Sequence, residues 1–347
     1  MNAPHNLVMR RTASTVPAFR YDGNEDFRQW QLRSRKKLHE LFGWDAFESC
    51  APDLEIEYDR KENGYRELRF TFESEPGYRV PCHLLLPDGV ENPPLMICVQ
   101  GHTFGMHISM GRTRFPNENY TEEEFLKKGR FAIDALEHGC AAVTIEQRGM
   151  GECGGDEEGA HCQLHTMGNL LLGRTTIGER VWDISHLIDV LTTEFADCFD
   201  AKRIYCVGHS GGGTATFYAA CSDERIAAAI PCGAFCTFEA SVIGQLHCTC
   251  NYIPKIRRYF DMGELSGLIV PRPVLFNAGE HDCIFPIAGV KEAFEETKRL
   301  YAHEGVSDRC VLTVGDIPEE IWSVDPYAGH CFYPHEVWEN FFALVTK

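Results

Sequence analysis

One pentapeptide constrains the fold of this chain more than any other stretch: Gly208-His209-Ser210-Gly211-Gly212, which matches GxSxG. The apolar run before it, residues 203–207, is typical of a buried strand, and residues 214–220 are compatible with a helix. Ser210 is therefore expected on a sharp turn between a strand and a helix, the context in which this motif presents a nucleophile. Glycines are expected two residues away on either side, because side chains there would collide with the neighbouring backbone.

A serine nucleophile needs a histidine to accept its proton and an acid to orient that histidine. Asp282 follows an apolar strand, 273–278, so we expect it at the carboxyl end of that strand, where ligand sites of open sheets form. His330 stands between the last predicted strand and the C-terminal helix. Glu280 is the alternative acid. His335 is the alternative histidine, although we expect it at the exposed start of the final helix.

The tetrahedral intermediate of such a reaction also requires two backbone N–H donors. Gly211, the residue after the nucleophile, is expected to supply the first. The glycine-containing loop 99–105 follows an earlier buried strand, and the N–H of His102 in this loop is our candidate for the second. The ring of His102 could equally pack in the interior or contact the substrate.

The order of apolar segments predicts an α/β fold with a mostly parallel central sheet and helices on both faces. In segments 54–59, 65–72 and 78–86, apolar and polar residues alternate as in antiparallel strands, and residues 62–64 supply a hairpin turn. After residue 94, continuous apolar strands alternate with helical segments, which is typical of a parallel sheet buried on both faces. The predicted strands of this part are 95–100, 141–146, 203–207, 226–230, 273–278 and 310–314, and the predicted helices of the whole chain are 24–42, 121–136, 177–193, 214–221, 287–304 and 335–345.

The same pattern predicts the domain organisation. We expect residues 1–80 to form a helix and antiparallel strands that pack on a catalytic domain of residues 81–347, with the whole forming a single structural unit. Residues 240–267 interrupt the alternation of strands and helices, and we expect them beside the active site.

Composition restricts the classes of binding partner and the cellular compartment that we expect for this protein. The formal net charge of −18 argues against nucleic acid or an anionic membrane as partner, because both require clustered Lys and Arg. The 16 cysteines are scattered and often lie within apolar runs, which indicates buried free thiols. Residues 1–16 contain no continuous apolar segment long enough for a signal peptide or a membrane span. These observations predict a cytoplasmic protein.

Three other patterns favour structural roles. Residues 149–154 match GxGxxG, but no helix is predicted to open on the last glycine, and the acidic residues 156–158 would repel a bound pyrophosphate. Two sets of possible zinc ligands have spacing that is not specific, so satisfied core or pocket side chains are expected there. These sets are His161, Cys162 and His165, and His247, Cys248 and Cys250. Trp182 and Asp183 are expected to be a packing group and a helix-surface group.

Three further stretches accompany the predicted triad of Ser210, Asp282 and His330. They are Gln100-Gly101-His102-Thr103-Phe104-Gly105-Met106-His107, Glu146-Gln147-Arg148-Gly149-Met150-Gly151, and the run 247–254 that leads to Pro271-Arg272-Pro273. With them, residues 80–347 resemble the serine α/β-hydrolases of the acetyl xylan esterase and dienelactone hydrolase-related group. The resemblance implies the α/β-hydrolase fold and hydrolysis of small acyl esters, such as acetyl groups on plant carbohydrate, without a metal or organic cofactor. Dienelactone hydrolases proper carry a cysteine nucleophile, whereas this chain has Ser210.

The segment 316–327, between the last strand and His330, is longer than the turn that this family pattern implies. Its aromatic side chains are candidates for one wall of the substrate pocket. The candidate pocket residues are His107, Arg148, Trp322 and Tyr327.

The sequence therefore predicts a serine carboxylic ester hydrolase that acts on a small-molecule ester through an acyl-enzyme. Two alternatives stay open at this point. A lactone or C–C bond hydrolase would use the same triad, and a non-catalytic binding protein could share the fold.

Overall fold

Nine strands form the central sheet of the computed structural model, which describes residues 3–115, 120–335 and 337–346. They are β1 (Glu55–Lys61), β2 (Tyr65–Glu75), β3 (Tyr78–Pro87), β4 (Leu95–Val99), β5 (Ala141–Ile145), β6 (Ile204–His209), β7 (Ile226–Cys232), β8 (Val274–Gly279) and β9 (Cys310–Gly315). Their order in the sheet is β1-β2-β3-β5-β4-β6-β7-β8-β9. β1 to β3 are antiparallel, and β4 to β9 are parallel to one another. The predicted mostly parallel sheet with an antiparallel start is confirmed.

Residue alternation explains why the parallel strands are mostly apolar. In β4, Leu95, Ile97 and Val99 pack into the hydrophobic core on one face of the sheet. The intervening Met96 and Cys98 pack into a second core on the opposite face. Because successive side chains of a strand point to opposite faces, a strand covered on both sides is expected to be apolar at most positions.

The helices cover these two faces. Those of the described residues are α1 (Pro4–Ser14), α2 (Phe27–Phe42), α3 (Glu122–Lys128), α4 (Phe131–Glu137), α5 (Gln163–Leu171), α6 (Thr176–Glu194), α7 (Gly211–Ser222), α8 (Ile256–Tyr259), α9 (Met262–Leu265), α10 (Ile287–His303), α11 (Glu319–Trp322) and α12 (Val337–Val345). Among them, no helix is both long enough and apolar enough to span a membrane.

The prediction of one continuous helix over 121–136 is wrong. The segment forms two helices, α3 and α4, which are separated at Gly129. Gly129 has φ 86° and its N–H donates to the carbonyl of Leu126, so it ends α3 in a left-handed conformation. A Cβ at this position would also lie 2.2 Å from the ring of Phe131. The chain therefore turns at Gly129 before α4 begins.

Helix α2 carries the N-terminal part onto the sheet assembly. The Asp26 side chain accepts a hydrogen bond from the Gln29 N–H at 2.9 Å and caps the helix start. Trp30 and Leu38 are fully buried and lie on the face of the helix that packs inward. Three polar residues of the helix, Gln31, Ser34 and Arg35, are buried as well. This stripe packs against α6 and α7, so α2 shares its core with the helix that follows Ser210.

Candidate active site

Ser210 occupies a strained turn between β6 and α7. Its backbone has φ 54° and ψ −123°, a conformation that non-glycine residues adopt rarely. A Cβ on Gly208 would lie 2.4 Å from the Gly212 carbonyl oxygen, and a Cβ on Gly212 would lie 2.1 Å from the Val99 carbonyl oxygen. The predicted steric role of the two flanking glycines is therefore confirmed. The turn places the hydroxyl at the carboxyl edge of the sheet, at the N-terminus of α7.

Replacement of Gly212 by alanine is expected to destabilise the fold by about 3 kcal/mol, the upper part of the usual range for an overpacked core site. The added methyl would meet the backbone of β4, which cannot move without disturbing the sheet. Gly168→Ala is the matched control. Gly168 lies within α5, where a Cβ would have no neighbour among the described residues within 4 Å, and alanine there should stabilise by about 0.5–1 kcal/mol. Urea unfolding of both variants measures the difference, and equal stabilities would contradict the steric argument.

His330 and Asp282 complete a hydrogen-bonded chain with Ser210. Ser210 Oγ lies 2.8 Å from His330 Nε2, and His330 Nδ1 lies 2.7 Å from Asp282 Oδ2. The second carboxylate oxygen, Asp282 Oδ1, accepts hydrogen bonds from the N–H groups of Ile284 and Phe285 at 2.7 and 3.0 Å. Asp282 is 4% exposed, so its carboxylate receives hydrogen bonds from this loop rather than from solvent. The geometry matches the relation of nucleophile, base and orienting acid in a Ser-His-Asp triad.

The two rival residues lie elsewhere. The Glu280 carboxylate is 3.4 Å from Lys291 Nζ on α10. His335 is exposed and precedes α12, which begins at Val337 rather than at 335. The structure thus brings Asp282 and His330 to Ser210, and it does not bring these alternatives there.

The loop after β4 passes directly beside this turn. A Cβ on Gly101 would lie 2.7 Å from the His209 carbonyl oxygen and 3.0 Å from Ser210 Cβ, so only glycine permits this approach. The ring of His102 packs on Gly211, where an added Cβ would lie 2.7 Å from His102 Cε1. The two residues predicted to supply the oxyanion donors are therefore in contact with each other beside Ser210.

Burial shifts the pKa values of two ionisable groups, one beside His330 and one that bridges the loops after β4 and β5. Burial, together with the neighbouring His330 imidazole, holds the pKa of His209 well below its usual range, so this ring is neutral. Its ring centroid lies 5.0 Å from that of His330. Burial also raises the pKa of Glu146 to about 7. The Glu146 carboxyl group accepts hydrogen bonds from the N–H groups of Met106 and Glu152, which joins the loops after β4 and β5.

A cavity of about 510 Å³ opens onto Ser210 and His330. The predicted excursion 240–267 lies beside it and contributes Leu246, His247, Cys248 and Asn251. The loop after Asp282 contributes Ile284 and Phe285, and α3 contributes Glu124, Lys127 and Lys128. None of the α3 side chains was expected here, because a charged helix carries no sequence signal that it borders a site.

Of the four candidate pocket residues, Tyr327 alone is found among the residues that line this cavity. Trp322 stacks on His281 instead, with ring centroids 4.3 Å apart. His107 Nε2 lies 2.9 Å from Glu152 Oε1 in a separate cluster of charged groups. The prediction that Trp322 and His107 line the pocket is therefore wrong for this structure.

Arg148 does not line the cavity either, because its guanidinium group is paired with buried carboxylates. Its guanidinium group makes ion pairs with Asp183 at 2.8 Å, Glu179 at 3.1 Å and Glu75 at 2.8 Å. Asp183 was expected on a helix surface but is 1% exposed. Arg148 thus shares with Arg174 the compensation of a buried acidic cluster. Neither the role of Arg148 nor that of Asp183 follows from helical periodicity.

Comparisons with known proteins agree with this architecture. Residues 7–174 match the Abhydrolase family. The chain is 25% identical over 279 residues to "Putative hydrolase YtaP" of Bacillus subtilis (strain 168), a match that covers 79% of this chain and 89% of that protein.

Several solved structures are similar along nearly the whole chain, including these two. One is "a putative acetyl xylan esterase (BF1801)" from Bacteroides fragilis NCTC 9343, with TM-score 0.82, 17% identity, and coverage of 100% of this chain and 96% of that one. The other is a glucuronoyl esterase from Solibacter usitatus, with TM-score 0.65, 14% identity, and coverage of 96% and 98%. The chain has the α/β-hydrolase fold and resembles the serine α/β-hydrolases.

Proposed function

We propose that this chain is a serine carboxylic ester hydrolase that uses Ser210, His330 and Asp282 as its catalytic triad. The observation that carries the proposal is the continuous contact from Ser210 Oγ through His330 to Asp282, at 2.8 and 2.7 Å. The strained backbone of Ser210 supports it, because strain of this kind persists where the surrounding structure enforces it and concentrates at functional sites.

The mechanism follows from the positions of these groups. Ser210 Oγ attacks the ester carbonyl while His330 Nε2 accepts its proton, and the Asp282 carboxylate stabilises the imidazolium that forms. His330 then transfers the proton to the leaving alkoxide, which gives an alcohol and an acyl-enzyme. Water, activated by the same imidazole, attacks the acyl-enzyme and releases the carboxylic acid.

The tetrahedral intermediates of both steps place a negative charge on the former carbonyl oxygen. We assign the backbone N–H groups of Gly211 and His102 as its donors, because these residues flank Ser210 on the side of α7 and on the side of the loop after β4. The N-terminus of α7 adds a favourable field at the same point. One such donor typically contributes a factor of about 10²–10³ to the rate.

The lining of the cavity favours a small, polar ester. Thr103 Oγ1, His209 Nε2 and Asn251 Oδ1 are buried and have no hydrogen-bond partner among the described residues, yet all three side chains border the cavity. Buried polar atoms usually find partners, so these atoms fit a substrate that carries hydroxyl groups. Two structural neighbours are named for esters of carbohydrate or uronic acid. We therefore propose acetyl or similar small acyl esters of carbohydrate as the substrate class.

A substrate screen tests this proposal. Purified protein is assayed against acetylated xylo-oligosaccharides, aryl acetates, long-chain aryl esters and lactones, with Ser210→Ala as the background control. We expect kcat/KM for the acetyl esters to exceed that for the long-chain esters at least tenfold. Cleavage confined to long-chain esters would contradict the carbohydrate assignment, and cleavage confined to lactones would favour the lactonase alternative.

The cytoplasmic location of the protein stays a prediction.

A further inference from the structure

Three thiols and one imidazole converge beside the proposed active site. His102, Cys162, Cys248 and Cys250 form what we call the His-Cys cluster, in which one possible ligand atom from each residue lies within 4.8 Å of every other. A tetrahedral zinc ion with Zn–S bonds of about 2.3 Å separates its sulfur ligands by about 3.8 Å. The four side chains are therefore close to the spacing of a Cys₃His zinc site before any ion is added.

The cluster joins three segments that are distant in sequence. His102 follows β4, Cys162 directly precedes α5, and Cys248 and Cys250 belong to the excursion 240–267. The two sets of possible zinc ligands for which the sequence favoured structural roles combine neighbours along the chain, and neither complete set comes together among the described residues. The structure instead joins one cysteine of the first set to two of the second and adds His102. Only the tertiary fold could reveal this combination.

A buried positive charge beside the cluster gives an independent argument. Arg180 is 1% exposed, and its Nη1 and Nη2 atoms lie 3.3 Å from the sulfurs of Cys250 and Cys162. Its other hydrogen bonds go to the carbonyl oxygen of Arg148. Among the described residues, no carboxylate lies within 4.0 Å of the Arg180 guanidinium group. The guanidinium group of Arg148, by contrast, is paired with three carboxylates. An unpaired buried guanidinium is strongly unfavourable, so its counter-charge must come from the sulfur atoms.

We propose that the His-Cys cluster binds one zinc ion through His102 Nε2 and the three cysteine sulfurs. Binding releases the three thiol protons to solvent and leaves a Zn²⁺(Cys⁻)₃(His) centre of net charge −1. The adjacent Arg180 carries +1, so the buried assembly is neutral. Because all four positions are filled by protein ligands, the site is structural and keeps no open position for a reacting water.

The site would fix the loop that carries one of the proposed oxyanion donors. The His102 ring packs on Gly211 with Nδ1 at 2.8 Å from the position of an added Cβ, while Nε2 faces the sulfur of Cys250 at 3.2 Å. Zinc at Nε2 would hold the ring, and thereby the backbone N–H of His102, beside Ser210. This part of the inference rests on the proposed function, whereas zinc binding itself does not.

A second group of possible ligands, His83, His107 and Glu152, differs in its surroundings. Arg69 places Nη1 2.8 Å from His83 Nε2 and 2.9 Å from a Glu152 carboxylate oxygen. A cationic side chain thus already occupies the position that a metal ion would take. This contrast favours the His-Cys cluster as the metal site.

Metal analysis of the full chain tests the proposal. Protein purified without chelator, in buffer that contains zinc, is desalted and measured by mass spectrometry of the elements, and X-ray absorption at the zinc edge reports the ligands. We expect one zinc per chain, with three sulfur neighbours at about 2.3 Å and one nitrogen at about 2.0–2.1 Å. A zinc content below about 0.1 per chain, or a zinc ion with only oxygen and nitrogen neighbours, would overturn the proposal. Because these measurements use the wild-type protein, they do not depend on whether a variant folds.

Variants and thiol counting complete the test. Cys248→Ser and Cys250→Ser should each lower zinc content at least tenfold under dialysis against a weak chelator, whereas Cys198→Ser, outside the cluster, should keep it. Retention of zinc in both cluster variants, or a disulfide among Cys162, Cys248 and Cys250 in the purified protein, would refute the assignment. Ser210→Ala should keep its zinc, so loss of the proposed activity and loss of the metal site are separable results.

Discussion

Ser210→Ala is expected to reduce kcat for an activated acetate ester by about 10⁴–10⁶-fold, to the level set by substrate binding and the oxyanion donors alone. The variant lacks the atom that attacks the carbonyl, and no second hydroxyl of the described residues hydrogen-bonds to His330. The fold should survive, because alanine meets the same backbone strain at φ 54° as serine does. We expect its free energy of unfolding to stay within about 1 kcal/mol of the wild type, since one side-chain hydrogen bond is lost.

Ser222→Ala provides the matched control for this experiment. Ser222 ends the same helix that Ser210 precedes, and its buried hydroxyl has no hydrogen-bond partner among the described residues. Steady-state kinetics and urea unfolding of the two variants separate chemistry from stability. More than a few per cent of wild-type kcat in Ser210→Ala would remove Ser210 from the mechanism.

Asp282→Asn is expected to lower kcat by about 10⁴-fold with little change in KM. The asparagine amide would retain the shape of the side chain, but it would not accept a hydrogen bond from the Nδ1–H of His330 as strongly as a carboxylate does. The imidazole would then carry its proton on Nε2, where it cannot accept the proton of Ser210, or would form an imidazolium that no carboxylate stabilises. Stopped assays of kcat and KM near neutral pH measure the effect.

Glu280→Gln is the corresponding control, because Glu280 lies two residues away on the same loop and faces Lys291. We expect this variant to retain wild-type kcat and KM. A large loss in Glu280→Gln together with a small loss in Asp282→Asn would reverse the assignment of the acid.

Local patterns were sufficient for the sheet and for the proposed triad. The strands were predictable because the parallel strands are mostly apolar, and β4, whose side chains enter both cores, is apolar at every position. Ser210, Asp282 and His330 were predictable because each follows a strand, and parallel strands bring their carboxyl ends to one edge. The break at Gly129 required knowledge of a left-handed backbone conformation that a short helical pattern does not reveal.

Groups defined by tertiary pairing could not be predicted from local patterns. Arg148 belongs to the 146–151 stretch that accompanies the predicted triad, but it is held by carboxylates of β2 and α6, which no local spacing indicates. The His-Cys cluster was missed for the same reason, since its members come from three separate loops. Trp322 was expected in the pocket from its position before His330, but contact with His281 directs it away.

Covalent labelling is the most direct test of the central claim that His330 and Asp282 activate Ser210. The protein is treated with a fluorophosphonate, and the modified peptide is identified by mass spectrometry, for wild type, Asp282→Asn and urea-unfolded wild type. The account predicts one adduct, on Ser210, formed quickly in the folded wild type, far more slowly in Asp282→Asn, and absent after unfolding. An adduct on another residue, or no adduct on the folded wild-type protein, would contradict it.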